Sequence, residues 1–139
     1  MSKVNVVLID SGVNTALPLF ADDCVQGFTY CDYGRILDSF EDMTGHGSAI
    51  YNIIRKNHEI ANIINVKLEN IEEGLEEDCL INVLHYLYDN VEMDIINMSI
   101  GIAELYRYRD LYEICRLLDE KGVVLIASFD NTGSMTYPA

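Results

Sequence analysis

The stretch KVNVVLID, residues 3–10, is a continuous apolar run that ends in an acid. Strands buried on both faces read as unbroken apolar runs rather than alternating ones, so this segment predicts a strand covered by helices above and below. Outward from it, CVQGFTY (24–30) reads as a short strand, HGSAIYNIIRK (46–56) as a helix and IANIINVK (60–67) as a strand. In EEDCLINVLHYLYDNV (76–91) the apolar residues at 79, 80, 83, 84, 87 and 88 have amphipathic helical spacing. MDIINMSIG (93–101) returns to strand, and AELYRYRDLYEICRLLDEKG (103–122) is a long helix that stops at Gly122, as helices commonly do at glycine. GVVLIASFDN (122–131) is the last strand. Strands alternating with helices predict an α/β fold of three layers, an open parallel sheet with helices on both faces. No repeat, low-complexity tract or linker interrupts the chain, so a single domain over residues 1–139 is expected.

Half of the residues are apolar, and a chain of 139 residues removes roughly two thirds of its unfolded surface from water on folding. The net charge of -14 and pI near 4.3 argue against a nucleic-acid backbone or an anionic membrane as partner. No apolar run reaches about 18 residues and no charged start leads into an apolar stretch with a cleavage site. Neither a membrane span nor a signal peptide is expected, and the location expected is cytoplasmic. Cys24, Cys31, Cys79 and Cys115 form no CxxC pair and no zinc-like cluster with histidine. They read as reduced core thiols. The acidic stretch ENIEEGLEEDC (69–79) reads as a solvated loop entering a helix N-terminus, where carboxylates are favoured, rather than as a calcium site.

MTGHGSAIYNII (43–54) places His46 between two glycines and follows it with apolar residues at helical spacing. Gly45 and Gly47 are expected to clear the approach to the imidazole, and Ala49, Ile50, Ile53 and Ile54 to form a buried stripe behind it. The plainer reading is a histidine that merely begins a helix. Placement favours more. In an open parallel sheet, ligands bind beyond the carboxyl ends of the strands. Asp10 ends the first strand, Ser99 and Gly101 close the fourth, Asn131 follows the fifth, and His46 opens a helix on the same rim. An aspartate can hold an imidazole in one tautomer while the other ring nitrogen serves as general base, and an asparagine amide can donate to a developing oxyanion. That combination suits acyl transfer.

These segments together resemble the N-terminal half of a subtilisin-like serine protease domain. VVLIDSG resembles that family's aspartate motif, which implies Asp10 as the catalytic acid with Ser11 and Gly12 making the turn. GHGSAI resembles the histidine motif and implies His46 as general base. DIINMSIG resembles the segment whose Ser99, Ile100 and Gly101 would offer backbone to an extended peptide. GVVLIASFDNTG resembles the strand that leads to the oxyanion asparagine, implying Asn131 in that role, and the closing TYPA also fits. The resemblance spans essentially the whole chain and implies a serine endopeptidase acting on an extended peptide or protein; no cofactor is expected, and no metal, because the chain lacks the calcium-binding loop of many relatives.

The departures bear on activity. In this family the order is Asp, His, then Ser inside a GTSMA motif far downstream, so the nucleophile is expected from a missing C-terminal segment and the chain alone is expected to be inactive. GSMTYPA mimics part of that motif, but Ser134 lies three residues after Asn131 with no intervening strand to carry it into the crevice. Ser128, Phe129 and Asp130 replace the usual small residues before the oxyanion asparagine, where Phe129 would narrow the specificity pocket and Asp130 would bring unwanted negative charge. The loop that binds calcium in many relatives is absent after the His46 helix. The alternative is a catalytically dead domain that binds peptides by strand addition along Ser99 to Gly101. A flavodoxin-like regulator, with Asp10, Asp22 and Asp23 read as an acidic site, leaves GHGS and NMSIG unexplained. His58 and His85 read as surface or packing residues. If later strands are missing, residues 123–127 form a bare apolar edge, and self-association through it is expected.

Overall fold

The computed structural model describes residues 2–57, 59, 61–69, 77–102, 104–128 and 136–138. The apolar run that opens the chain forms β1 (Val4–Asp10). After it come β2 (Gln26–Tyr30), β3 (Ile36–Leu37), α1 (His46–Asn57), β4 (Ala61–Leu68), α2 (Glu77–Asn90), β5 (Ile95–Met98), α3 (Tyr108–Glu120) and β6 (Val124–Ala127). The six strands make one sheet in the order β3, β2, β4, β1, β5, β6. All neighbours are parallel except β2 and β3, which pair antiparallel. The parallel sheet expected from the sequence therefore carries one short antiparallel edge strand. Two residues long, β3 is too brief to show a hydrophobic period.

Side chains alternate along a strand, so Val7 and Ile9 point to one face of the sheet and Val6, Leu8 and Asp10 to the other. The first face is covered by α2 and α3: Leu80, Leu84, Leu87, Ile114 and Leu118 pack with Val7, Ile9, Val66 and Met98, all buried. The second is covered by α1, whose Tyr51 packs with Leu8, Val13 and Phe20. Tyr51 meets the Phe20 ring edge-on at 5.2 Å between centroids. This cover is incomplete. An apolar groove of about 260 Å³ remains over β1, β5 and β6, lined by Val4, Val6, Ile54, Ile95, Asn97 and Ile126 among others.

Four local expectations are corrected. The buried face of α1 is Gly47, Ser48 and Tyr51, with Ile50 and Ile54 half-buried, whereas Ala49 and Ile53 are exposed. Residues 47, 50, 51 and 54 share one side of a 3.6-residue helix, and the side is chosen by how the first turn docks rather than by where the isoleucines fall. The long helix predicted from residue 103 begins at Tyr108. Just before it, the Tyr106 and Arg107 amides donate to the Glu77 carboxylate at the start of α2, and the Arg107 guanidinium pairs with Asp78 and Asp110. These bonds hold the chain outside the helical path. The last strand stops at Ala127. Of the cysteines, Cys31 and Cys79 are buried, Cys115 is half-buried and Cys24 is exposed, so Cys24 is not a core thiol.

Candidate active site

Strand register decides which residues reach the carboxyl rim of the sheet. Asp10 lies opposite Lys67 of β4, Ile9 opposite Met98 of β5, and Met98 opposite Ala127 of β6. Asp10 is thus a rim residue that faces the α1 side, and His46 is the first residue of α1. The two side chains meet: His46 Nδ1 lies 2.8 Å from Asp10 Oδ1. The Asp10 side chain is 4% exposed and the His46 side chain 56%. The Ser11 amide donates to the same Asp10 oxygen at 2.7 Å. A buried carboxylate beside Nδ1 accepts its hydrogen, which leaves the lone pair on Nε2. Nε2 has no partner among the described residues.

The first turn of a helix carries amide groups with no partner inside the helix. In α1 they are met from outside. The His46 amide is 3.3 Å from Thr44 Oγ1, the Gly47 amide donates to Ser11 Oγ at 3.0 Å, and the Ser48 amide donates to Asp42 Oδ2 at 2.9 Å. Asp42 is the hub of this arrangement. Its Oδ1 accepts from Ser11 Oγ at 2.8 Å and from the Thr44 and Gly45 amides at 3.0 Å each, and its Oδ2 also accepts from Ser48 Oγ at 2.7 Å. Burial alone would raise the Asp42 pKa, but the bonds from Ser48, Ser11 and Thr44 outweigh it and hold the carboxyl well below the usual range. Negative charge at a helix N-terminus is favourable as well.

The glycines serve this docking. A Cβ on Gly47 would stand 2.1 Å from the Gly12 carbonyl oxygen, and one on Gly12 would stand 2.2 Å from the Phe40 carbonyl oxygen. Gly47 therefore makes room for the turn after Asp10 rather than for a partner of the imidazole. Gly45 takes a φ of +86°, with nothing near its missing side chain. Sequence reasoning did not single out Asp42. The signal was local: an aspartate followed two and three residues later by Thr44 and Gly45 is turn chemistry, in which a carboxylate bonds the next amides.

Ser99, Ile100 and Gly101 follow β5 directly at the same rim, yet no hydrogen bond joins them to Asp10 or His46. Ser99 Oγ accepts from Asn97 Nδ2 at 3.3 Å. Among the described residues the backbone groups of Ser99 to Gly101 are unpaired, and pairing resumes where Ile102 exchanges two 2.9 Å bonds with Tyr137. Gly101 permits that crossing, since a Cβ there would stand 2.8 Å from the Thr136 side chain. Asn131, Phe129, Asp130, Ser134 and His58 lie outside the described residues. His85 is exposed on α2. Among the described residues no cluster of His, Cys, Asp or Glu is arranged to hold a metal, and no helix is long and apolar enough to cross a membrane.

By sequence the chain matches no protein-family model and no curated protein. Its fold does match solved structures. A cold-adapted subtilisin-like serine proteinase superposes with a TM-score of 0.67 at 19% identity, over 91% of this chain and 46% of that one. The prenylagaramide maturation protease PagA superposes with a TM-score of 0.65 at 20% identity, over 100% of this chain and 50% of that one. A lanthipeptide protease gives 0.60 at 23% identity, over 84% and 35%. The fold is that of the subtilisin-like serine proteases, and this chain spans about half the length of the first two structures or less.

Proposed function

We propose that this chain carries the aspartate and histidine of a Ser-His-Asp peptidase centre and that the nucleophilic serine comes from a segment outside these 139 residues. The observation that carries this reading is the 2.8 Å bond between buried Asp10 and the half-open ring of His46, on a fold shared with serine proteases. In the reaction, Nε2 of His46 takes the proton of the serine hydroxyl as its oxygen attacks the peptide carbonyl, and then gives that proton to the departing amine. Asp10 keeps the ring in the reactive tautomer and offsets the positive charge that develops on it. Water next attacks the acyl-serine with the same histidine as base, which frees the acid and restores the serine. Asn131 is proposed as an oxyanion donor, and the backbone of Ser99, Ile100 and Gly101, unpaired among the described residues, as the edge that pairs with an extended peptide. PagA and the lanthipeptide protease are peptide-processing enzymes by name, and a further structural neighbour is a macrocyclase solved in complex with peptide. They support a peptide substrate.

Ser11 and Ser48 sit near the pair but are buried, with hydroxyls committed to Asp42, which supports a nucleophile from elsewhere. The test supplies a separate segment bearing a GTSMA motif and reads labelling by a fluorophosphonate. The chain alone should stay unlabelled, and the supplied serine should label only in its presence. His46→Ala should lower the labelling rate by a factor on the order of 10⁶, the scale on which such a centre depends on its base. Absence of labelling with every such segment would overturn the protease reading and favour the peptide-binding one.

A further inference from the structure

Between the turn that presents Asp10 and the turn that presents His46 stands a carboxylate that bonds both turns but neither of those two side chains. Asp42 Oδ1 takes the hydroxyl of Ser11, the residue after Asp10, and the amides of Thr44 and Gly45, the residues before His46; Oδ2 takes the amide and hydroxyl of Ser48, two residues after it. Ser11 Oγ in turn accepts the Gly47 amide at 3.0 Å. The path from one turn to the other is thus short and buried, with Asp10, Ser11, Asp42 and Ser48 all nearly inaccessible to water. We propose that Asp42 is a positioning residue for the Asp10–His46 pair: acting through Ser11, it locks the two turns together and fixes the imidazole with Nδ1 on Asp10 and Nε2 outward.

The physical need is plain. His46 is the first residue of a helix whose opening amides find no partner within the helix, and its side chain is largely exposed, so neither packing nor intrahelical bonding holds the ring. Without the clamp the first turn is free to fray. A displacement of about 1 Å between acid and base already costs on the order of 10² in rate for a reaction that uses both. The structural claim stands on these contacts alone, and its value for catalysis rests on the protease reading above.

The test reads the ring itself, in the 139-residue chain labelled with ¹⁵N-histidine. The two ring nitrogens report the tautomer of His46, and a slowly exchanging low-field proton reports its Nδ1 bond to Asp10. In the parent chain one tautomer with that proton is expected. Asp42→Asn removes the carboxylate, while Ser11→Ala removes the link and keeps the charge. Each should lose the low-field signal and mix the tautomers while the amides of the central strands remain protected from exchange. A folded Asp42→Asn chain with an unchanged ring spectrum overturns the proposal. So does a change in Asp42→Asn with Ser11→Ala like the parent, since the effect would then be one of charge rather than position. If Asp42→Asn does not fold, Ser11→Ala decides alone by the same criterion. Failure of the fluorophosphonate test would leave this result untouched.

Discussion

At the scale of single residues, two glycines two positions apart have opposite reasons for being there. Gly47 sits inside α1, where alanine is the better helix former by about 0.5–1 kcal/mol, so propensity alone favours Gly47→Ala. The contact says otherwise, because the new methyl would stand 2.1 Å from the Gly12 carbonyl oxygen, and that atom is backbone. Overpacking costs about 1–3 kcal/mol, and a backbone neighbour that cannot swing aside puts this case at the upper end, so after the propensity gain the net expectation for Gly47→Ala is a chain less stable by about 2 kcal/mol in urea denaturation, with the Asp10–His46 bond broken. Gly45 has open space around it and a φ of +86°. Gly45→Ala should cost only the left-handed strain of about 1–2 kcal/mol and leave the bond in place. If Gly47→Ala matched the parent in stability, the close approach of the two turns would be wrong.

At the scale of elements, α1 is held at its start by other parts of the chain. Residues before it are anchored one after another: Ser39 O accepts from Thr29 Oγ1 at 2.6 Å, Phe40 O from the Val13 amide at 2.9 Å, and Glu41 O from Lys67 Nζ at 2.6 Å, before Asp42 caps the helix. The Asp42 pKa is lowered in the folded chain, so its stabilising contribution is present above the ordinary carboxylate value near 3.9 and is lost as pH falls below it. Stability should therefore decline below about pH 4, and by less in Asp42→Asn, which lacks the titrating group; denaturation midpoints between pH 3 and 7 would show it. Sequence legibility divides along the same line. The apolar run of β1 and the spacing in α2 are signals carried within one element, and the structure matches them. The start of α3 and the buried side of α1 were not legible, since Glu77 and Ser11 set them from 29 to 36 positions away. The meeting of Asp10 with His46 followed from topology, which places both on one rim. Asp42 announced its turn locally, but not its reach to Ser11, which lies 31 positions earlier.

At the scale of the whole molecule, the sheet has one finished face and one unfinished one. α2 and α3 bury their side over most of the strands, whereas α1 leaves the strip over β5 and β6 open, with Val124 55% and Ile126 48% exposed. An apolar strip at the end of a sheet invites a partner, and on the protease reading proposed above a serine-bearing segment would be that partner. Without that segment the chain should associate with itself. Its charge of -14 opposes such association, so added salt should strengthen it by screening repulsion, whereas contacts made through ion pairs would weaken. Ile126→Lys separates the two forces: it makes the chain less negative, which favours association electrostatically, and places a charge in the groove, which disfavours apolar contact. Sedimentation should show oligomers that grow with concentration and salt in the parent and disappear in Ile126→Lys. A parent chain that stays monomeric throughout would mean that this face needs no cover. The case for a serine-bearing segment docking there would then lose its physical support.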